Sequence, residues 1–194
     1  VTKVKLLHIP RTYGSSLLTT LDKNKNFTNL GHKTWDELTN PDWILNVITL
    51  LREPIARCIS QYQYWLMRHS GGDLREDWLY RSPHDDPHRI RCNAMTGFLA
   101  GTLEPRSYHL DRAKQRLIYD VTFGISEHFE DSLKYFQECF PEQLKDISYD
   151  GIIHNKSRTV AGITKDELKA IRETNIYDIE LYEFAIKFWE RRIK

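Results

Sequence analysis

The chain is poor in cysteine, with Cys58, Cys92 and Cys139 alone among 194 residues. No two of them form a CxxC pair, which excludes a zinc ribbon or a thioredoxin-type motif. An odd number excludes a complete internal disulfide framework. One bridge stays open, and a reduced compartment is the simpler expectation. Charge of one sign is also lacking: 28 Lys and Arg face 27 Asp and Glu, for a net charge of +1. That balance excludes a general nucleic-acid binder, which needs a clear basic excess. No long hydrophobic run occurs. The longest apolar stretch, residues 43–51, is interrupted by Asn46 and is far shorter than a bilayer span. The chain as it stands therefore reads as cytoplasmic, or as a Golgi-lumen domain if an anchor before Val1 has been removed. Internal repeats are absent, and His and carboxylate spacings match no standard metal site.

What is present is ordinary for a globular protein: 40% hydrophobic and 28% charged residues. A single domain spanning 1–194 is expected. Residues 4–9 read as a buried parallel strand, ended by Pro10. A turn with Gly14 follows, and Ser15 or Ser16 is expected to cap a helix through Leu17 and Leu21. Residues 27–30 suggest a second strand, ending at Gly31-His32. Thr34 with Glu37, and Thr164 with Glu167, read as capping boxes. Residues 44–51 are the clearest strand, and Pro54 opens a helix carrying Ile55, Ile59, Tyr62 and Trp65. Residues 70–90 read as a surface excursion, followed by a helix over 90–99. Residues 117–125 read as a strand and 127–140 as a helix. The last helix is expected to bury Tyr177, Leu181, Phe184 and Phe188. This alternation predicts a three-layer α/β fold with a mainly parallel sheet.

Chemistry is expected where a strand gives way to a helix. Ligands of open α/β sheets sit beyond the carboxyl ends of strands. The first strand ends in His8-Ile9-Pro10-Arg11-Thr12-Tyr13-Gly14-Ser15-Ser16-Leu17. Free backbone N–H groups at a helix start make an anion site there, and Arg11 adds a fixed charge. An ATP loop of the form GxxxxGK[ST] is absent, since the turn has one glycine and no lysine. An ordinary strand–helix connection is the bland alternative.

This segment resembles the 5′-phosphosulfate loop of sulfotransferases that use 3′-phosphoadenosine-5′-phosphosulfate (PAPS), closest to the carbohydrate enzymes of the heparan sulfate 6-O type. Thr49-Leu50-Leu51-Arg52-Glu53-Pro54-Ile55-Ala56-Arg57-Cys58-Ile59-Ser60 resembles the family's 3′-phosphate motif. Gly31-His32-Lys33-Thr34-Trp35-Asp36-Glu37-Leu38 is similar to the segment that carries its catalytic histidine. Phe123-Gly124-Ile125-Ser126-Glu127-His128-Phe129, Asn155-Lys156-Ser157-Arg158 and the closing helix resemble later segments. Arg11 stands where lysine is usual and Tyr13 where glycine is common.

The resemblance implies a P-loop-like fold, PAPS as co-substrate, no metal, and transfer of a sulfuryl group to a hydroxyl acceptor, a saccharide by family likeness. It implies that Thr12, Tyr13, Gly14, Ser15 and Ser16 hold the 5′-phosphosulfate while Arg11 offsets charge on the bridging oxygen. Arg52 and Ser60 would bind the 3′-phosphate, and Ser157 and Arg158 would close over the nucleotide. His32 would be the general base. His8 reads as a packed strand residue; His69, His84, His88 and His109 read as surface. Two other readings are a nucleotide kinase-like phosphoryl transferase of the same broad fold and a non-catalytic nucleotide-binding relative.

Overall fold

Four parallel strands form one sheet in the order β2-β1-β3-β4: β1 (Val4–Leu6), β2 (Phe27–Asn29), β3 (Val47–Leu51) and β4 (Val121–Ile125). The computed structural model describes residues 2–21, 24–38, 46–68, 92–145, 147 and 163–192, with the side chains of 65–68 excepted. Eight α-helices lie among them: α1 (Gly14–Leu21), α2 (Pro54–Arg68), α3 (Ala94–Ala100), α4 (Ser107–Tyr119), α5 (Phe129–Cys139), α6 (Pro141–Leu144), α7 (Lys165–Thr174) and α8 (Ile176–Arg192). Trp35–Glu37 and Ser126–His128 are short 3₁₀ turns.

Successive strand side chains point to opposite faces, and both faces are covered. Val47 and Leu51 of β3, with Val121, Phe123 and Ile125 of β4, pack into a core with α3, α4 and α8. Ile48 and Leu50 pack on the other face with Val4 and Leu6 of β1 and with α1, α5 and α6. The result is an α/β fold with a parallel sheet between helices. A third cluster joins Ile55, Cys58, Ile59 and Tyr62 of α2 to Ile171 of α7. Gly124 belongs to the close contact of β4 with α5, since a Cβ there would fall 2.5 Å from Ser132 Cβ. Among the described residues no helix is long and apolar enough to cross a membrane.

Several boundaries differ from the sequence expectation. Residues 117–119 finish α4 instead of opening β4, because Leu110, Ala113 and Leu117 recur at helical spacing and are all buried. Arg116 pairs with Asp120 at 2.7 Å and closes that helix. In α8 the buried face is Asp178, Leu181, Ala185 and Trp189; Tyr177, Phe184 and Phe188 pack beside it, half-buried. The Thr164 box forms as expected, its hydroxyl accepting from Glu167 N at 3.2 Å. At Thr34 the backbone N–H and the hydroxyl both donate to Glu37 Oε2, at 2.6 and 2.9 Å.

Because β2 lies on one side of β1 and β3 on the other, the connections after β1 and β3 leave on opposite sides. The sheet therefore has its topological switch between β1 and β3, the place beyond whose carboxyl ends open α/β sheets bind ligands.

Candidate anion-binding site

The turn after β1 has an alternating backbone. Arg11 has φ 68° and Tyr13 φ 61°, both left-handed, with Thr12 between them. Left-handed backbone in bulky residues costs about 1–3 kcal/mol each and needs external support. That support comes from hydrogen bonds. Thr12 Oγ1 donates to Ile9 O at 2.9 Å, and Ser126 Oγ from the end of β4 donates to Thr12 O at 3.0 Å. Arg52 Nη1 from the end of β3 donates to Arg11 O at 3.1 Å. Alternation of this kind gathers backbone N–H groups into a concavity that suits an anion. Helix α1 starts at once with Gly14, so Ser15 and Ser16 lie in its first turn and do not cap it; Leu17 N donates to Tyr13 O at 3.1 Å. Glycine is required at 14, because a Cβ would stand 2.1 Å from His8 Cδ2.

Two arginines from neighbouring strands meet at this turn. Adjacent strands are about 4.8 Å apart, so residues leaving their ends share one ligand-sized space. Arg11 Nε donates to Ser60 Oγ of α2 at 2.9 Å, and its guanidinium lies 5.0 Å from the Tyr64 ring. The Arg52 guanidinium lies 4.9 Å from the Tyr13 ring and is nearly buried. A third arginine, Arg57, is fully buried on α2, 3.8 Å from Asp178. Burial lowers the pKa of Arg11, and Arg52 and Arg57 lower it further against the pull of Tyr64. Burial likewise lowers that of Arg52; Tyr13, Glu127 and Glu53 oppose, while Arg57 adds. Arginine stays charged through such shifts. The cluster thus holds desolvated like charges close together, a repulsion that an anion would relieve. The nearby carboxylates are held elsewhere. Glu53 accepts from Ile55 N and Ala56 N at 3.1 and 2.6 Å, and Glu127 accepts from Glu53 N at 3.0 Å and Tyr182 OH at 2.9 Å.

A pair of histidines borders the turn. His32 follows β2 and is exposed; His8 is buried, and the ring centroids are 4.3 Å apart. His32 Nδ1 lies 3.0 Å from His8 O. A carbonyl only accepts, so Nδ1 carries a proton, and in the neutral ring the lone pair is on Nε2. The His8 pKa is lowered from 6.5 to about 3 by burial first, then by His32 and Arg11. Between those values the unfolded chain binds a proton that the folded chain does not, so stability falls as pH falls through this window. We expect unfolding free energy to drop by about 2 kcal/mol from pH 6.5 to pH 5 on this account. Urea titrations at both pH values check it; His8→Asn should lose that part of the slope.

Arg11, Thr12, Tyr13, Gly14, Ser15, Ser16, Arg52, Ser60 and His32 therefore gather at the carboxyl ends of β1, β2 and β3. Within the set, Ser16 and Ser60 are fully buried, while Ser15 is half-exposed. Ser157 and Arg158 lie outside the described residues, as do His69, His84 and His88. His109 is half-exposed in the first turn of α4, where its Nδ1 accepts from Arg106 N at 2.9 Å. Arg57, Tyr64 and Ser126 belong to the site but were not singled out from sequence. Compared with known proteins, the chain matches no family model and no curated protein sequence.

Proposed function

We propose that the chain is a PAPS-dependent sulfotransferase of P-loop-like fold that moves a sulfuryl group to a hydroxyl of a saccharide. The observation that carries this reading is the meeting of Arg11 and Arg52, from the ends of adjacent strands, at one left-handed turn. A nucleotide with phosphates on both sides of one ribose suits two anchors so close together. The left-handed φ of 61° at Tyr13 also accounts for glycine being common there in the resembling motif.

In this reading backbone N–H groups from Thr12 to Ser16 hold the 5′-phosphosulfate, and the Ser15 hydroxyl adds a hydrogen bond. Ser16, being buried, contributes its backbone. Arg11 neutralises charge on the bridging oxygen as the S–O bond breaks. Arg52 takes the 3′-phosphate, with Ser60 exchanging its bond to Arg11 for one to the phosphate. His32 Nε2 accepts the proton of the attacking hydroxyl as the new O–S bond forms, while His8 O holds Nδ1–H and fixes the ring. Ser157 and Arg158 are assigned to closing over the nucleotide.

The test is transfer of label from radiolabelled PAPS to a panel of hydroxyl acceptors, saccharides included, in EDTA. Labelled acceptor supports the proposal. Binding of adenosine 3′,5′-bisphosphate with no transfer to any acceptor, or strict dependence on Mg²⁺ and ATP, overturns it.

A further inference from the structure

Two of the three cysteines, distant in sequence, meet behind the arginine cluster. Cys58 lies on α2 and is fully buried; Cys92, half-buried, precedes α3. The two thiols lie close enough to influence each other's titration, with Asn175 beside Cys58 and Thr174 beside Cys92. The surroundings fix this approach. Asn93 N donates to Asn175 Oδ1 at 3.0 Å, and Asn93 Nδ2 donates to Thr174 O at 2.8 Å. Asn93 Oδ1 accepts from Tyr177 N and Asp178 N at 2.9 and 3.1 Å. The residue next to Cys92 is thereby tied to the α7–α8 junction, against which α2 also packs.

The two sulfurs are chemically unequal. The neighbouring Cys58 thiol lowers the pKa of Cys92, with Thr174 and the charge of Arg57 helping and burial opposing. The same pairing, and burial, raise that of Cys58. Cys92 is thus the more accessible sulfur and the one with more thiolate near neutral pH, and Cys58 is the candidate resolving thiol.

We propose that Cys58 and Cys92 form a reversible dithiol–disulfide site, oxidised by small disulfides such as glutathione disulfide, whose closure fastens α2 to the start of α3. The Cys92 thiolate attacks one glutathione sulfur; that S–S bond breaks and one glutathione thiolate leaves. Cys58 gives its proton to solvent, attacks the Cys92 sulfur and expels the second glutathione thiolate. Two cysteine thiols are oxidised, and one disulfide is reduced to two thiols that take up the released protons. The helix so fastened carries Arg57 and Ser60, so oxidation stiffens the support of the arginine cluster. The inference does not depend on sulfuryl transfer.

The experiment equilibrates the wild-type chain in glutathione buffers of rising oxidised fraction, quenches with an alkylating agent and maps peptides by mass. A linked Cys58–Cys92 peptide, with Cys139 alkylated and the link reversed by dithiothreitol, is expected. The oxidised chain should melt about 5–10 °C higher than the reduced chain, from constraint of residues 59–91 in the unfolded state. Glutathione retained on Cys92 without a link, a bridge through Cys139, or both thiols alkylated in fully oxidised buffer would each overturn the proposal. The mass readout uses the unmodified chain, so it does not depend on any variant folding.

Discussion

Arg52→Ala is expected to weaken binding of adenosine 3′,5′-bisphosphate by about 30- to 1000-fold, corresponding to about 2–4 kcal/mol for a charged partner lost from a desolvated phosphate contact. The melting temperature should move by only a few degrees. The Arg52 side chain loses its bond to Arg11 O and its contact with Tyr13, but its removal also ends repulsion with Arg11 and Arg57. Sites that hold like charges for a ligand sacrifice stability for function, so loss of affinity without loss of stability is the signature. The companion variant separates binding from chemistry. His32→Ala should keep bisphosphate affinity within about twofold, since Arg11 is held by Ser60 and Tyr64 and Arg52 by Arg11 O and Tyr13, and should lower turnover about 10²- to 10⁴-fold as a general base is lost. Isothermal titration and label transfer measure the two quantities. Unchanged bisphosphate affinity in Arg52→Ala would remove the arginine pair from the site. Full turnover in His32→Ala would remove the base.

Asp178→Ala should destabilise the fold by about 3–5 kcal/mol, because it leaves the Arg57 charge buried without its carboxylate. Both side chains are fully buried. Asp178 also accepts from Met95 N and Thr96 N at 3.1 and 2.8 Å, so it satisfies the first turn of α3, for which Asn93 provides no side-chain cap. Burial pushes the Asp178 pKa up, and Arg57 and those backbone N–H groups oppose that rise. One carboxylate on α8 therefore binds α2 and α3 together. For a chain of this size the loss corresponds to a fall in melting temperature of about 10 °C, measured by calorimetry. Replacing both members, Arg57→Met with Asp178→Leu, should recover the part of the loss owed to the buried charge but not the part owed to the two α3 N–H groups. A melting temperature within about 2 °C of wild type in Asp178→Ala would show that the pair does not bind the helices.

Local pattern was a good guide wherever the chain interacts with itself nearby. The apolar run before Arg52 became β3, Pro54 opened α2, and the Thr164–Glu167 box formed, because strand burial, proline geometry and capping act within a few residues. The positions of Arg11, Gly14 and Arg52 followed from the same short-range logic: a strand ends, a turn follows, and a helix begins. Residues 117–119 misled because Ile118 and Tyr119 are individually good strand formers; burial of Leu117 with Leu110 and Ala113 on one helix face assigned them to α4.

What no local pattern contains is the pairing of distant segments. The strand order decides that β1 lies between β2 and β3, and hence that Arg52 meets Arg11 on one side and His32 meets His8 O on the other. Packing of α2 against the α7–α8 junction decides that Arg57 finds Asp178 and that Cys58 finds Cys92. A residue's type sets what it can do alone. Desolvation and the approach of partners from other segments set its charge repulsion, its tautomer and its thiol reactivity, and those arise only when the chain closes on itself.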